Sequence, residues 1–218
     1  RARCRPRGGR GRAWTAAHAM STSVVYSNIH VYRLVMNALY GGKYRQRFRD
    51  VIDVLGPDVR SVCDLCFGDT VVADWCRGRG IAWTGVDLNP AFCATAARRG
   101  HQAVQGSLFS VDLPAADVFI MSGSLYHFHD RLPELFDRIW AKTTRLVLSE
   151  PVRNLSSQPG PIGWWARRSA DAGDGHAEFR FTERTLLDAI RREQERHPLD
   201  CRVVSVARDA LVELRRTS

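Results

Sequence analysis

The chain has 218 residues, 44% apolar and 25% charged, the balance of an ordinary globular protein that buries its core in one domain. It contains no apolar run of about eighteen residues, which excludes a membrane-spanning helix. The net charge of +9 is concentrated in RARCRPRGGRGR (1–12), with six arginines and no acid, and the remainder is too mildly basic for a nucleic-acid-coating body.

Residues 1–20 are expected as a disordered basic leader, or as residues ahead of a start at Met20, and 21–218 as a single domain. An RNA- or DNA-binding arm is the competing reading. It is weakened by the lack of any aromatic before Trp14 on which a base could stack. The leader also lacks the apolar stretch of a secretory signal.

Apolar residues recur at helical spacing in HVYRLVMNALY (30–40) and RQRFRDVIDVL (45–55), separated by Gly41-Gly42 and ended by Gly56-Pro57. The rhythm then changes. SVCDL (61–65) reads as a strand, DTVVADWCRGRG (69–80) as a helix, IAWTGVDL (81–88) as a second strand. NPAFCATAARRG (89–100) is a helix with Asn89 as cap and Pro90 at its first position. HQAVQG (101–106) and ADVFIMSG (116–123) are strands, RLPELFDRIWAKT (131–143) a helix, RLVLSEP (145–151) a strand. A Pro-, Gly- and Trp-rich section near 151–180 is expected as a cap. After it come a helix at 181–197, with Thr182 as its cap, and two strands joined by a tight turn at Ala207–Asp209.

Such alternation predicts right-handed βαβ units. The fold class is therefore α/β, a doubly wound, mostly parallel seven-stranded sheet with an antiparallel C-terminal edge hairpin.

Of the six cysteines, Cys63 and Cys66 form a C-x-x-C pair, but Cys76 and Cys93 are too far apart to complete a zinc ribbon. No metal is expected; buried thiols in a reducing cytoplasm are.

In an open parallel sheet, ligands sit beyond the carboxyl ends of the strands where strand order reverses. There lie Asp64-Leu65-Cys66-Phe67-Gly68, Asp87-Leu88-Asn89, Gly106-Ser107-Leu108 and Ser122-Gly123-Ser124-Leu125-Tyr126-His127. Gly68 permits close backbone approach, and Asp87 stands where a carboxylate takes the ribose hydroxyls of an adenosine. Taken singly, an acid after a strand is more often a helix cap. A pyrophosphate would demand more glycines and would meet Asp69, so an adenosine ligand without phosphates is favoured.

The run VCDLCFGDT … WTGVDLNP … VQGSLFSVDLPAADVFIMSGSLYHFHD … RLVLSEP resembles the class I S-adenosylmethionine-dependent methyltransferases, of the UbiE-like small-molecule type. The resemblance covers about Val62 to Pro151 and implies a Rossmann-like fold. The family's acid-x-Gly-x-Gly loop falls on Asp64, Cys66 and Gly68, its ribose acid on Asp87, and its adenine-packing residue on Leu88. Ser107, beside Leu108, stands where members often carry an acid, and Cys66 replaces the first glycine. Tyr44 and Arg45 fall where relatives approach the methionine carboxylate, and Ser122 closes strand four. The implied cofactor is S-adenosylmethionine, the product S-adenosylhomocysteine.

The implied reaction is methyl transfer to O, N or C of a small-molecule acceptor. His127 is the candidate that orients or deprotonates the acceptor; a histidine that only shapes its loop is the equal alternative. Tyr40, Tyr126, His129, Trp164 and Trp165 are candidates for the acceptor wall, although paired tryptophans more often anchor packing and His129 is expected to face solvent. A non-catalytic adenosine- or partner-binding relative is the alternative. A nucleic-acid methyltransferase is the weaker one, because strand four lacks an Asn-Pro-Pro-Tyr pattern. Thirty arginines against two lysines suggest a GC-rich, bacterial genome, and a cytoplasmic monomer or homodimer is expected.

Overall fold

The computed structural model describes residues 29–153 and 179–217. Seven strands, β1 (Ser61–Leu65), β2 (Ala82–Asp87), β3 (Gln102–Gln105), β4 (Val118–Ser122), β5 (Arg145–Pro151), β6 (Leu199–Val206) and β7 (Asp209–Arg216), form one sheet in the order β3-β2-β1-β4-β5-β7-β6. β1 to β5 pair in parallel, whereas β7 runs antiparallel to both β5 and β6. The doubly wound sheet with its C-terminal hairpin is thus as the alternation predicts. Its final strand lies inside the edge. The reason is patterning: Ala210 to Leu214 are buried without interruption, while most of β6 is exposed, so the continuously buried strand takes the inner place.

Successive residues of β4 serve opposite layers. Val118 and Ile120 pack with helices α2 (Tyr44–Leu55), α3 (Val71–Arg77) and α4 (Pro90–Arg98). Phe119 and Met121 pack with α5 (Leu132–Trp140) and α6 (Glu183–Arg196). The first described helix, α1 (Ile29–Leu39), has no buried residue and lies against α2 and α4.

Helix starts follow the local chemistry. The Asn89 side chain accepts the Ala91 N–H at 2.9 Å, with Pro90 behind it. Thr182 and Thr185 form a reciprocal capping box at α6. Two details depart from expectation. Helix α3 is confined to Val71–Arg77, because Phe67–Thr70 folds as a tight turn in which the Asp69 N–H meets the Phe67 carbonyl. A 3₁₀ turn over Leu125–Phe128 stands between β4 and α5.

Cys63, Cys76 and Cys93 are buried, Cys66 and Cys201 half-buried, and all five are free thiols.

Candidate active site

Strand order reverses between β1 and β4, so the loops leaving these strands diverge and open the crevice that a doubly wound sheet offers to ligands. The β1 loop is shaped for close approach. Cys66, where glycine was expected, has φ +53° and is the one non-glycine residue with positive φ among the described residues; Gly68 has φ +57°. The left-handed conformation costs a side-chain-bearing residue about 1–2 kcal/mol, and the Cys66 N–H is held on the Val86 carbonyl at 2.7 Å. A Cβ on Gly68 would stand 3.1 Å from the Tyr32 hydroxyl of α1, so the glycine leaves room for that ring.

Asp87 ties this loop to β2. Its Oδ2 accepts the Gly68 N–H at 3.1 Å and its Oδ1 the Asn89 N–H at 2.8 Å. Burial pushes its pKa up to about 6, against the pull of those N–H donors. Asp64 is more enclosed, at 2% exposure, and takes one long contact of 3.4 Å from the Trp83 indole N–H. Burial drives its pKa up to about 8; Asp87 and Asp69 add to the rise, and Arg47 opposes it. Trp83 and Phe67 meet edge to face, with ring centroids 5.3 Å apart, and a Cβ on Gly85 would overlap both.

Asp69, read from the sequence as an acid that a pyrophosphate would meet, is clamped by Arg33 of α1, with contacts of 2.9 and 2.5 Å. Its Oδ1 also accepts the Thr70 N–H at 2.7 Å. Nothing in local spacing connects Arg33 to Asp69, and neither Tyr32 nor Arg33 was foreseen.

The remaining sequence candidates separate into three groups. Leu88 is half-buried at the end of β2; Ser107 accepts the Phe109 N–H at 3.3 Å within its turn; Leu108 is immersed in the core. Tyr44 is buried among the rings of Tyr32, Tyr40 and Phe48. Tyr40, expected on the acceptor wall, turns its hydroxyl to Asp209 at 3.4 Å, and the guanidinium groups of Arg47 and Arg208 lie against its ring. Burial pushes the Tyr40 hydroxyl up to about 12. Arg47 was missed altogether. This buried α2 residue reaches Asp209 and the Ser149 carbonyl, each at 3.4 Å, and fills the space where a Cβ on Gly123 would stand.

The third group surrounds the 3₁₀ turn. The His127 ring lies against Tyr126 at a tilt of 36°, centroids 3.9 Å apart, and Arg180 lies over the Tyr126 ring at 3.9 Å. His129 does not face solvent. It is half-buried, its Nδ1 meets the Tyr126 carbonyl at 3.2 Å, and its ring stacks parallel on Phe179 at 4.0 Å. Trp164 and Trp165 lie outside the described residues.

No protein-family model matches the chain, and no curated protein sequence matches it. Solved structures do. Human N-acetylserotonin methyltransferase in complex with SAM superposes with a TM-score of 0.63 at 17% identity, covering 93% of this chain and 60% of that one. The plantazolicin methyltransferase BpumL, in complex with a pentazolic desmethylPZN analog and SAH, gives 0.65 at 11% identity over 89% and 93% of the two chains. A SAM dependent methyltransferase from Archaeoglobus fulgidus gives 0.60 at 15% identity over 85% and 99%. The chain therefore has the class I methyltransferase fold, and it spans about 60% of the length of the human enzyme.

Proposed function

We propose that the protein is an S-adenosylmethionine-dependent methyltransferase acting on a small molecule. One observation carries the reading: Asp87, a buried carboxylate at the tip of β2, is bound by the backbone of the Gly68 turn at the point where strand order reverses. This is the placement from which a carboxylate takes two ribose hydroxyls. Its charge argues in the same direction. Asp69 is already paired with Arg33 and burial favours the protonated form of Asp64, so Asp87 is the acid that opposes a pyrophosphate and suits a ligand bearing positive charge. The Oγ1 of Thr70 and the Oγ of Ser122 are buried without a hydrogen-bond partner among the described residues, as expected of groups kept for a polar ligand. The residues present therefore fit an adenosyl sulfonium. SAM-bound and SAH-bound neighbours with this fold support the same assignment.

S-adenosylmethionine supplies, when bound, an electrophilic methyl carbon on a sulfonium. The chain's own residues then have to hold and orient. Asp87 and Leu88 would take the adenosine; Gly68 and Cys66 bring backbone close; Tyr44 and Ser122 line the amino-acid end. Ser107 and Leu108 shape the adenine-side turn. Tyr126, His127 and His129 would line the acceptor, with His127 orienting it or accepting its proton. Alignment along the displacement path is the main source of rate in such a reaction, and a base adds where the acceptor is a hydroxyl of high pKa. The UbiE-like grouping, a bacterial cytoplasmic setting, a monomeric or homodimeric state and a single domain from residue 21 belong to this proposal. Sequence pattern supports the grouping and the single domain, and composition the bacterial setting.

Calorimetry with S-adenosylmethionine and S-adenosylhomocysteine tests it. Both are expected to bind, and Asp87→Asn to weaken both by about tenfold or more, the value of a charge-assisted hydrogen bond or two. Absence of heat with either compound would defeat the assignment.

A further inference from the structure

We propose that Glu150 is a positioning residue that holds the turn carrying Tyr126 and His127 in place from the neighbouring strand. The inference rests on the reading of that turn as the acceptor side. Glu150 ends β5 at 1% exposure, and its two carboxylate oxygens are used separately: Oε2 accepts the Leu125 N–H at 3.0 Å and Oε1 the Tyr126 N–H at 3.3 Å.

The first N–H groups of a helical turn need an outside acceptor, normally the side chain of the capping residue. Here the capping residue is Ser124, and it makes no such bond; its hydroxyl donates backwards to the Ser122 carbonyl at 3.4 Å. Glu150 supplies the missing acceptor from a residue 25 positions away in the chain.

The second fastening is local, through His129 on the Tyr126 carbonyl. Tyr126 is thus held at its N–H by Glu150 and at its carbonyl by His129, and the His127 ring packed against Tyr126 follows it. A carboxyl group buried so completely costs the fold free energy whenever it ionises. Two directed bonds to one turn are what it provides. The charges that reach Glu150 come from Arg47 on α2 and Asp209 on β7, of opposite effect, and burial dominates, pushing its pKa up to about 8.

The test uses the full chain, with Glu150→Ala and Glu150→Gln, and needs no acceptor. In Glu150→Ala, amide hydrogen exchange at Leu125 and Tyr126 is expected to speed up about tenfold or more, the worth of one hydrogen bond, while Ile120 and Val147 in the sheet stay protected. The imidazole nitrogen signals of His127 and His129 shift in the same variant. Glu150→Gln keeps one carbonyl acceptor and is expected to restore protection to one of the two amides. In the native protein both amide protons move together between pH 6 and 9, and neither does so in the Gln variant. Unchanged exchange, unchanged histidine signals and a persisting amide titration in Glu150→Gln would overturn the proposal, and that variant decides if the Ala form does not fold. S-adenosylhomocysteine affinity, measured alongside, should remain within about twofold in Glu150→Gln. If native protein fails to bind it, the cofactor reading falls, and the clamp is still decided by the two amides.

Discussion

The two halves of the sheet secure their loops in different ways. On the β1–β2–β3 side, Asp87 bonds the Asn89 N–H two residues away and the Gly68 turn 19 residues back, and Asn89 caps the helix that follows. On the β4–β5–β7 side, the post-β4 loop is held by Glu150 from another strand and abutted by Arg47 from a helix 76 residues before Gly123. The first half combines contacts two and 19 residues apart with one long clamp, Arg33 on Asp69 36 residues away, whereas the second relies mainly on distant partners. Loops wired locally keep their shape when distant packing changes; loops wired at a distance lose it first.

Asp87→Ala should have the largest effect. It strands the Gly68 and Asn89 N–H groups at about 1–3 kcal/mol each, lowering the midpoint of urea unfolding and abolishing S-adenosylhomocysteine heat together. Retention of binding would break the claim that the left half carries the cofactor.

Next come two glycines, one in each half. Gly123→Ala combines φ +67° with overlap of the Arg47 guanidinium, and Gly85→Ala overlaps the Trp83 and Phe67 rings. Each is expected to lose about 1–3 kcal/mol of stability by denaturant titration. The comparison predicts that Gly123→Ala also exposes Leu125 and Tyr126 to hydrogen exchange, whereas Gly85→Ala leaves them protected.

The pH dependence divides between the halves. Asp64 and Glu150 both have a folded pKa raised by burial to about 8, from ordinary values of 3.8 and 4.5. The folded protein then holds more protons than the unfolded chain between those limits. Stability therefore falls as pH climbs from about 4 to 8 and levels off above. Asp64→Asn and Glu150→Gln should each flatten part of that slope in melting scans. A slope unchanged in both variants would remove the buried-carboxylate explanation.

Comparable in size to the glycine variants is Arg33→Ala, which leaves the buried Asp69 without its charged partner at a cost of about 1–3 kcal/mol. It sharpens the comparison by asking whether α1 is needed to hold the β1 loop; the expected result is weaker S-adenosylhomocysteine binding together with a lower melting temperature. Thr182→Ala, which removes the α6 capping box remote from both loops, should cost about 1 kcal/mol and leave that affinity unchanged.

Much of the fold was legible before any coordinates. The limits of β1 and β5, the Asn89 and Thr182 caps and the hairpin turn all coincide with local signals, because period, capping and glycine punctuation act over a few residues. Asp87 was legible for the same reason, since its distance from Gly68 is set by one βαβ unit. Less could be read around the site. Arg33 was not singled out, Tyr40 looked like an acceptor contact and His129 like a solvent-facing residue, and each met partners that no spacing announces.

By itself, then, the order of residues determined the alternation of strands and helices, the strand tips that carry acids, and the glycine of the turn after β1. These are properties of short segments and of a winding that has one favoured hand. Tertiary structure alone decided which of the buried charges face each other. Arg33 finds Asp69, Arg47 fills the space under Gly123, and Glu150 caps a turn from across the sheet. Such pairings depend on which side chains are sealed from water together, and burial, not sequence distance, sets their strength.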